Sequence, residues 1–566
     1  MLPRLGFAGQ AAEPRQVLEQ VRLDHTILDG FRPLSECLEA RLSDAHWNEH
    51  GILPFVENDV PYLINNSGRL SEDAASLLFV ETREAKVDGP ITVLEIGAGT
   101  GLFCRYFLDI FRAICIQENT DFYDRLLYIV TDRSPRTCRQ WAERGIFDEH
   151  AGKVRIGCGD GAALAFTGLE GEPVSIGNCN AVFANYVLDV LPATIVRRAG
   201  DTGSFEELRI RTHLNVSTDA LNLYTRLTLD EIRSMLDSDV NLARLAPVSG
   251  LFEHEVAWFP LEDSGCTARR GLLAAAHAGD RILINDGAAR FLQSAANHLS
   301  PRGFILINDY GPIQPEQVPL HSASQRFGPT IAAGVNFPLL ESFIRSQTGL
   351  DVLAGEGDEG RMIHSRLITA GLMPETVKTF QSRFGASAAE YFEAPLTAAR
   401  SHSAAGRKDA AVDAYREAVE RSSREWSLIA EVADYVGLQL QDHEAGLKLA
   451  YAAVELNPWY SAWVWNILGD CLYCLGRRSE AHEAFLQAGR IDPNDERTNL
   501  NLAYTYAEAG DHRGALDCIA RGLANERKET YRDRLLAKQH DILNAISLRR
   551  KNDGERLQRR TARFFA

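Results

Sequence analysis

A chain of 566 residues is too long for one ordinary hydrophobic core, so two or three domains are expected. Apolar residues make up 45 % and charged residues 24 %, the balance of a globular protein rather than a disordered one. Against 77 Asp and Glu stand 60 Lys and Arg, and the resulting charge of -17 argues against a binder of nucleic-acid phosphates.

The opening residues, MLPRLGFAGQAAEPRQ, have no charged leader followed by an apolar run, so no secretory signal is expected. Nowhere do about 18 apolar residues run together, so no membrane span is expected either. Ten cysteines are scattered without a disulfide-like or zinc-like rhythm, which reads as a reduced, cytoplasmic protein with no metal site. Residues 1–90 read as mostly helical, broken by the polar ENDVPYLINNSGRLSED, and are expected to help cover an active site.

From Ile91 short apolar strands alternate with amphipathic helices, the pattern of a doubly wound α/β sheet. The strand candidates are ITVLEIG (91–97), LLYIVTD (126–132), KVRIGCGD (153–160), CNAVFAN (179–185) and GFILIND (303–309). This domain is expected to span 91–390. Between 112 and 126, AICIQENTDFYDR either covers a bound adenine or loops out. At about 197–280 the alternation gives way to a strand (FEELRIRTHLNV), a helix (TLDEIRSMLDS) and a strand (HEVAWFPL), read as an inserted lid or substrate-facing subdomain.

From about Pro395 only helices are expected, and they repeat. WNILGDCLYCLGRRSEAHEAFLQAGRIDP carries Trp465, Leu468, Gly469, Gly476, Ala481, Phe485, Ala488 and Pro493 at the positions of the tetratricopeptide pattern. A shift of 34 residues brings Gly476 onto Gly510 and Ala481 onto Ala515. About four repeats over 395–528 make an all-α tetratricopeptide (TPR) solenoid, closed by a capping helix and basic tail at 529–566. Cys471 and Cys474 lie inside this helical pattern and read as packed thiols. The basic run from Arg549 to Arg563 reads as a solvated helix.

The loop in VLEIGAGTGLFCRYF (93–107) bears the cofactor question. A dinucleotide loop places a third glycine three residues after the second, where this chain has Leu102. The run Glu95-x-Gly97-x-Gly99-Thr100-Gly101 instead matches class I methyltransferases that use S-adenosylmethionine (SAM), whose methionine and ribose pass close to the glycine backbone. Its expected companions end the following strands. Asp132 suits a ribose diol, Asp160 the adenine amino group, and Asn185 the neighbourhood of the sulfonium.

VLEIGAGTGLFCRYF, YIVTDRSPRTCRQ, VFANYVLDVLP, INDGAARFLQSAANHLSPRGFILINDYG and VNFPLLESF together resemble the MidA-type methyltransferases over roughly residues 50–375. That family includes mitochondrial complex I assembly factors, and one branch dimethylates protein arginines. The resemblance implies a Rossmann-like fold binding SAM without metal. It departs at Tyr186, where the family usually carries an acidic residue after the asparagine, and with it goes a paired grip on a guanidinium. Tyr186, Asp189, Asp309 and Tyr310 are the candidates for orienting or deprotonating the acceptor, and Tyr62, Asn65, Asn66 and Arg69 are placed over the cofactor. His254 and His364 are better read as structural histidines.

The function expected is methyl transfer from SAM to a protein or peptide held in the TPR groove, in a chain that binds no nucleic acid or membrane, with a homodimer as its candidate assembly. A small-molecule methyltransferase using its repeats for docking, and a non-catalytic SAM-binding adaptor, remain open.

Overall fold

Buried strands and half-buried helices alternate through most of residues 25–385. The computed structural model describes residues 25–56, 68–199, 204–215, 227–262, 266–276, 281–318, 324–327, 329–385, 393–525 and 530–564. The chain divides into two units, residues 1–390 and 391–566.

The first unit begins with β1 (His25–Pro33), followed by α1 (Leu38–His50), α2 (Leu53–Val56) and α3 (Arg69–Glu84). The expected helical start is therefore corrected at β1. Next come β2 (Ile91–Ile96), α4 (Leu102–Gln117), β3 (Leu126–Asp132), α5 (Pro135–Glu143), β4 (Val154–Asp160), β5 (Ala165–Thr167) and β6 (Cys179–Asn185). Ser134 and Pro135 start α5 as a capping pair, the Ser134 hydroxyl accepting from Thr137 N at 3.2 Å. After β7 (Thr194–Arg198), β8 (Phe205–Asn215), α6 (Leu229–Met235), β9 (Phe252–Pro260), α7 (Thr267–Ala275) and β10 (Ile282–Ile284), the main sheet resumes with α8 (Asp286–Asn297) and β11 (Leu299–Asp309). The hairpin β12 (Ser324–Phe327) and β13 (Thr330–Ala333), then α9 (Phe337–Gln347), β14 (Asp351–Ala354), β15 (His364–Thr369) and α10 (Pro374–Phe384), complete the unit.

Eight strands form the main sheet in the order β14-β15-β11-β6-β2-β3-β4-β5. β11, β6, β2, β3 and β4 run parallel, and the outer strands are antiparallel. On one face Tyr128 and Phe183 meet Phe107 of α4, with ring centroids 5.3 and 5.4 Å apart. On the other face Leu94, Ile129, Val182 and Ile305 pack with Phe291 of α8 and Phe343 of α9. Burial on both faces is why these strands read as nearly unbroken apolar runs. From β2 the chain moves outward through β3 and β4, then returns to the opposite side of β2 as β6. Ligand crevices of open α/β sheets form at such a reversal, at the carboxyl ends of the strands.

The expected insertion holds its two strands and helix, but its sheet draws on distant pieces. β8 pairs with β1, β7 and β9, and β7 pairs with β10. The 112–126 segment finishes α4 at Gln117 and then turns through 118–125 into the amino end of β3, away from the carboxyl edge. There Tyr123 Oη lies 2.7 Å from His150 Nδ1.

In the second unit four helix pairs follow one another: α11 (Glu393–Ala404) with α12 (Lys408–Arg421), α13 (Trp426–Asp434) with α14 (His443–Leu456), α15 (Ala462–Cys474) with α16 (Arg478–Ile491), and α17 (Glu496–Glu508) with α18 (His512–Asn525). α19 (Arg532–Phe564) ends the chain. Gly406, Gly476 and Gly510 take φ of 71°, 77° and 81° at the turns between paired helices, and Gln441 takes 65° at the matching turn of the second pair. Glycine enters this left-handed region without penalty, which explains its recurrence; a side chain there costs about 1 kcal/mol. Cys471 is buried in this core, whereas Cys474 is exposed at the end of α15, so the expectation of two packed thiols is corrected there. No helix among the described residues is long and apolar enough to cross a membrane.

Candidate functional site

At the reversal point the backbone leaves β2 through Gly97, Gly99 and Gly101, at φ of 62°, 56° and 76°. A Cβ on Gly97 would lie 2.6 Å from Val187 Cγ2, so only glycine lets the loop pass the chain leaving β6. The loop is also fixed from outside. Ala98 N donates to Thr131 O at 2.9 Å, and Trp141 Nε1 donates to Gly99 O at 2.9 Å. Thr100 Oγ1 accepts from Leu102 N at 3.4 Å, where α4 begins.

Asp132 ends β3 beside this loop. One carboxylate oxygen accepts from Gly99 N at 3.0 Å and the other from Ser134 N at 2.9 Å. Each oxygen keeps a lone pair for a further donor. Desolvation pushes this carboxyl above its usual range, against the pull of those two N–H groups. Asp160, exposed at the end of β4, accepts from Ala162 N at 2.8 Å.

Glu95 does not join them. Its side chain is 2 % exposed and accepts from Tyr128 Oη at 2.8 Å, on the α4 face of the sheet. Burial raises its carboxyl to about 8. Period-two alternation turns residue 95 to that face before the backbone reaches the glycine loop.

The ends of β6 and β11 carry the second cluster. Asn185 is 3 % exposed, and its Oδ1 accepts from Asn308 Nδ2 at 2.8 Å. Asn308 Oδ1 in turn accepts from Ser365 Oγ at 2.6 Å, so the amides are held in order. Tyr186 has φ 52°, a left-handed conformation costly for an aromatic residue, and its N donates to Asn308 O at 2.8 Å. Asp309 is fully buried and accepts from Leu188 N and Tyr310 N, both at 2.9 Å. Asp189, Asp309, Tyr186 and Tyr310 influence one another electrostatically, so these four residues lie together. Burial raises both carboxyls, and the Asp189 charge raises Asp309 further.

A cover built from residues other than the Tyr62, Asn65, Asn66 and Arg69 expected there lies over the first cluster. Ser134 Oγ donates to Trp47 O at 2.9 Å, Ile52 N to Gln140 Oε1 at 3.0 Å, and Asp44 pairs with Arg133. Phe55, tilted against Trp47 with centroids 4.9 Å apart, reaches the space above Gly99, where a Cβ would meet its ring at 2.9 Å. The signal for this cover was the pair of large aromatics in WNEHGILPF. Behind it Glu39 of α1 accepts from Thr212 Oγ1 at 3.0 Å and pairs with His254 and Arg326, tying the cover to β8, β9 and β12. His364 likewise lies 2.9 Å from Asp358 Oδ1. Both histidines are thus tied to carboxylates. Arg69 pairs with Asp73 at 3.1 Å at the start of α3, while Tyr62, Asn65 and Asn66 lie outside the described residues.

Residues 75–353 match the family described as "Putative S-adenosyl-L-methionine-dependent methyltransferase", and residues 462–495 match the tetratricopeptide repeat. Among solved structures, one from Burkholderia thailandensis, described as a "likely methyl transferase" bound to S-adenosyl-homocysteine, is 14 % identical. It covers 61 % of this chain and 89 % of its own, with a TM-score of 0.39. MamA from Desulfovibrio magneticus is 16 % identical over 28 % of this chain and 86 % of its own, at a TM-score of 0.23. The type IV pilus biogenesis factor PilW is 15 % identical over 31 % of this chain and 78 % of its own, at a TM-score of 0.26. No curated protein matches the chain. Through residues 75–353 the chain belongs to a family of S-adenosyl-L-methionine-dependent methyltransferases, and it carries a tetratricopeptide repeat at residues 462–495.

Proposed function

We propose that this methyltransferase acts on a protein or peptide acceptor, recruited by the C-terminal repeats. The observation that carries the reading is one continuous polar and aromatic face along the first helices of successive repeats. On α15 Trp463, Asn466, Asp470 and Tyr473 recur at helical spacing, and on α17 Arg497, Asn501, Tyr504 and Glu508 do the same. The two stripes join. Arg497 Nη2 lies 2.6 Å from Asp470 Oδ2, and Asn501 Nδ2 donates to Asn466 Oδ1 and Asp470 Oδ1, both at 3.1 Å. Tyr473 reaches Glu508, and Lys538 Nζ stands 4.1 Å from the Tyr504 ring centroid. Trp463 is 38 % exposed on this face. Amide, charged and aromatic groups along a helical stack suit an extended chain with its own backbone groups to satisfy.

The cofactor reading is supported by the glycine cradle, which a Cβ would fill, and by the remaining lone pairs of Asp132. In this reading Gly97, Gly99, Thr100 and Gly101 line the methionine and ribose, Asp132 accepts from the ribose hydroxyls, Asp160 faces the adenine amine, and Asn185 presents Nδ2 near the reacting atoms. Glu95 shapes the loop from behind through Tyr128. Bound SAM supplies an electrophilic methyl on a sulfonium. The protein's own part is alignment and exclusion of water, for which Trp47 and Phe55 form the cover.

Tritiated SAM, incubated with the full-length protein and cell lysate, tests this directly. Label is expected in acid-precipitable protein. Trp463→Ala with Asn501→Ala is expected to lower that label about tenfold at unchanged SAM affinity. Label confined to small molecules would sink the protein-acceptor reading.

A further inference from the structure

Four buried polar atoms in this region have no hydrogen-bond partner among the described residues: Asn185 Nδ2, Asp189 Oδ1, Tyr310 Oη and Arg361 Nε. Such atoms are rare in folded interiors because each forfeits its hydration, and a group of them marks a place for a polar ligand. Their surroundings limit which ligand fits. Each oxygen of Asp309 accepts one backbone N–H, from Leu188 and from Tyr310, and keeps a second lone pair. Asp189 Oδ1 has no partner of good hydrogen-bond geometry, and the Tyr310 hydroxyl lies close enough to act on the Asp189 carboxyl as a donor, which leaves the hydroxyl oxygen's own lone pairs for a ligand.

A guanidinium presents five N–H donors in a flat fork and is best met by paired carboxylate oxygens. Tyr186 offers no second carboxylate, and burial together with the Asp189 charge pushes Asp309 well above the usual range, so it stays the neutral member of the pair and adds no second charge for a guanidinium. An ammonium is a compact charge with three donors, for which one carboxylate oxygen and one hydroxyl suffice. We propose, building on the protein-acceptor reading above, that the methylated atom is a primary amine nitrogen, that of a lysine side chain or a chain N-terminus, held by Asp189 Oδ1 and Tyr310 Oη. The acid excess of residues 1–390, 51 Asp and Glu against 35 Lys and Arg, draws such a cation towards this unit.

The arriving ammonium gives one proton to Asp189. The freed nitrogen lone pair then forms the N–C bond to the methyl, and the S–C bond breaks with its electron pair left on sulfur. A remaining N–H stays donated to Tyr310 Oη, and the product leaves as a methylammonium. Asp189 is suited to take the proton because burial lifts its carboxyl to about 6. The groups facing it are Asp309 on β11, Tyr310 just beyond, and Tyr186 at the end of β6, with Arg361 beside Tyr186.

The test labels lysate protein with tritiated SAM and the full-length enzyme, hydrolyses it in acid and separates the amino acids. Nε-methyllysine is the expected product for a side-chain amine, and an α-N-methyl amino acid for a chain terminus. Methylarginine, or label released by mild base as from an ester, overturns the amine assignment while leaving the protein-acceptor reading intact. An absence of label in protein overturns that earlier reading instead, and the labelled small molecule's amine or non-amine product then decides this one. Asp189→Asn is expected to lower turnover at pH 7.5 at least 100-fold, with SAM affinity by calorimetry within about twofold. Its turnover is expected to recover about tenfold per pH unit towards pH 10, because an amine of pKa about 10.4 then loses its proton unaided. Tyr310→Phe is expected to lower turnover about tenfold, again with SAM affinity kept. An Asp189→Asn loss that stays flat with pH, with SAM still bound, overturns the proposal.

Discussion

The carboxyl edge of the main sheet and the ladder across the repeats use buried polar groups in opposite ways. At the sheet edge, Asn185, Asp189 and Tyr310 keep an unpaired atom each. In the repeats, Asp470 is bound through both oxygens, by Arg497 and Asn501, and Arg497 also lies 3.7 Å from Asp434. The charge differs as well. Residues 391–566 carry 26 acidic against 25 basic side chains, so nearly all of the excess acidity belongs to residues 1–390. Open valences at a reacting centre are filled by ligands, at a cost to the empty protein. Closed valences along a groove fix its shape and leave recognition to what the side chains present outward.

Asp132→Ala is the change that should separate the two regions most sharply. It removes the carboxylate proposed for the ribose and the acceptor for Gly99 N and Ser134 N. Hydrogen bonds to a charged group contribute about 2 kcal/mol, so SAM affinity should fall roughly 30-fold by calorimetry. The thermal transition of the repeats should not move. Unchanged SAM binding in a folded Asp132→Ala protein would remove the cofactor from this edge.

The converse change is Gly469→Ala in α15. Its Cβ would lie 2.3 Å from the Phe485 ring, so α15 and α16 must move apart. Overpacking of this kind costs about 2 kcal/mol, expected as a lower melting temperature for the repeat transition. With the ladder displaced, label transferred to lysate protein should fall about tenfold while SAM affinity stays constant. Full transfer by a variant with visibly loosened repeats would detach the repeats from acceptor recruitment.

What the sequence made legible follows from how local each signal was. The parallel strands announced themselves because both faces are buried, and the repeats because small residues recur at the same turns. Strand β1 was missed because HTILDGFRP contains both a glycine and a proline, and its pairing with β8 lies far along the chain, with irregular register at Ile27–Asp29 and Asp29–Arg32. The sheet around β8 gathers strands from 25–33 to 282–284, and no window of sequence contains that pairing. At the candidate site, sequence order put Asp132 and Asn185 at strand ends and named Asp189, Asp309 and Tyr310 as acceptor-orienting candidates. It gave no sign that Arg361 carries an unpaired Nε, or that Asp309 holds a backbone N–H on each of its oxygens.

Glu95 is where motif and structure part, and it supplies the smallest expected effect on cofactor binding. If its carboxylate touched the cofactor, Glu95→Gln would weaken binding strongly. Held by Tyr128 on the α4 face, it should change SAM affinity by no more than about twofold. Stability distinguishes the two further. Desolvation, aided by the Asp132 charge and opposed by the Tyr128 hydroxyl, raises this carboxyl to about 8 in the folded state. The unfolded chain has an ordinary carboxyl near 4.3. Folding therefore favours the protonated form, and the stability it contributes is complete below the unfolded value and lost as pH rises to about 8. Glutamine mimics the neutral acid at every pH. Glu95→Gln should thus melt close to the wild type at pH 4 and above it at pH 8.5, in the transition of residues 1–390 alone. Equal melting temperatures at both pH values, together with a large loss of SAM affinity, would return Glu95 to the cofactor.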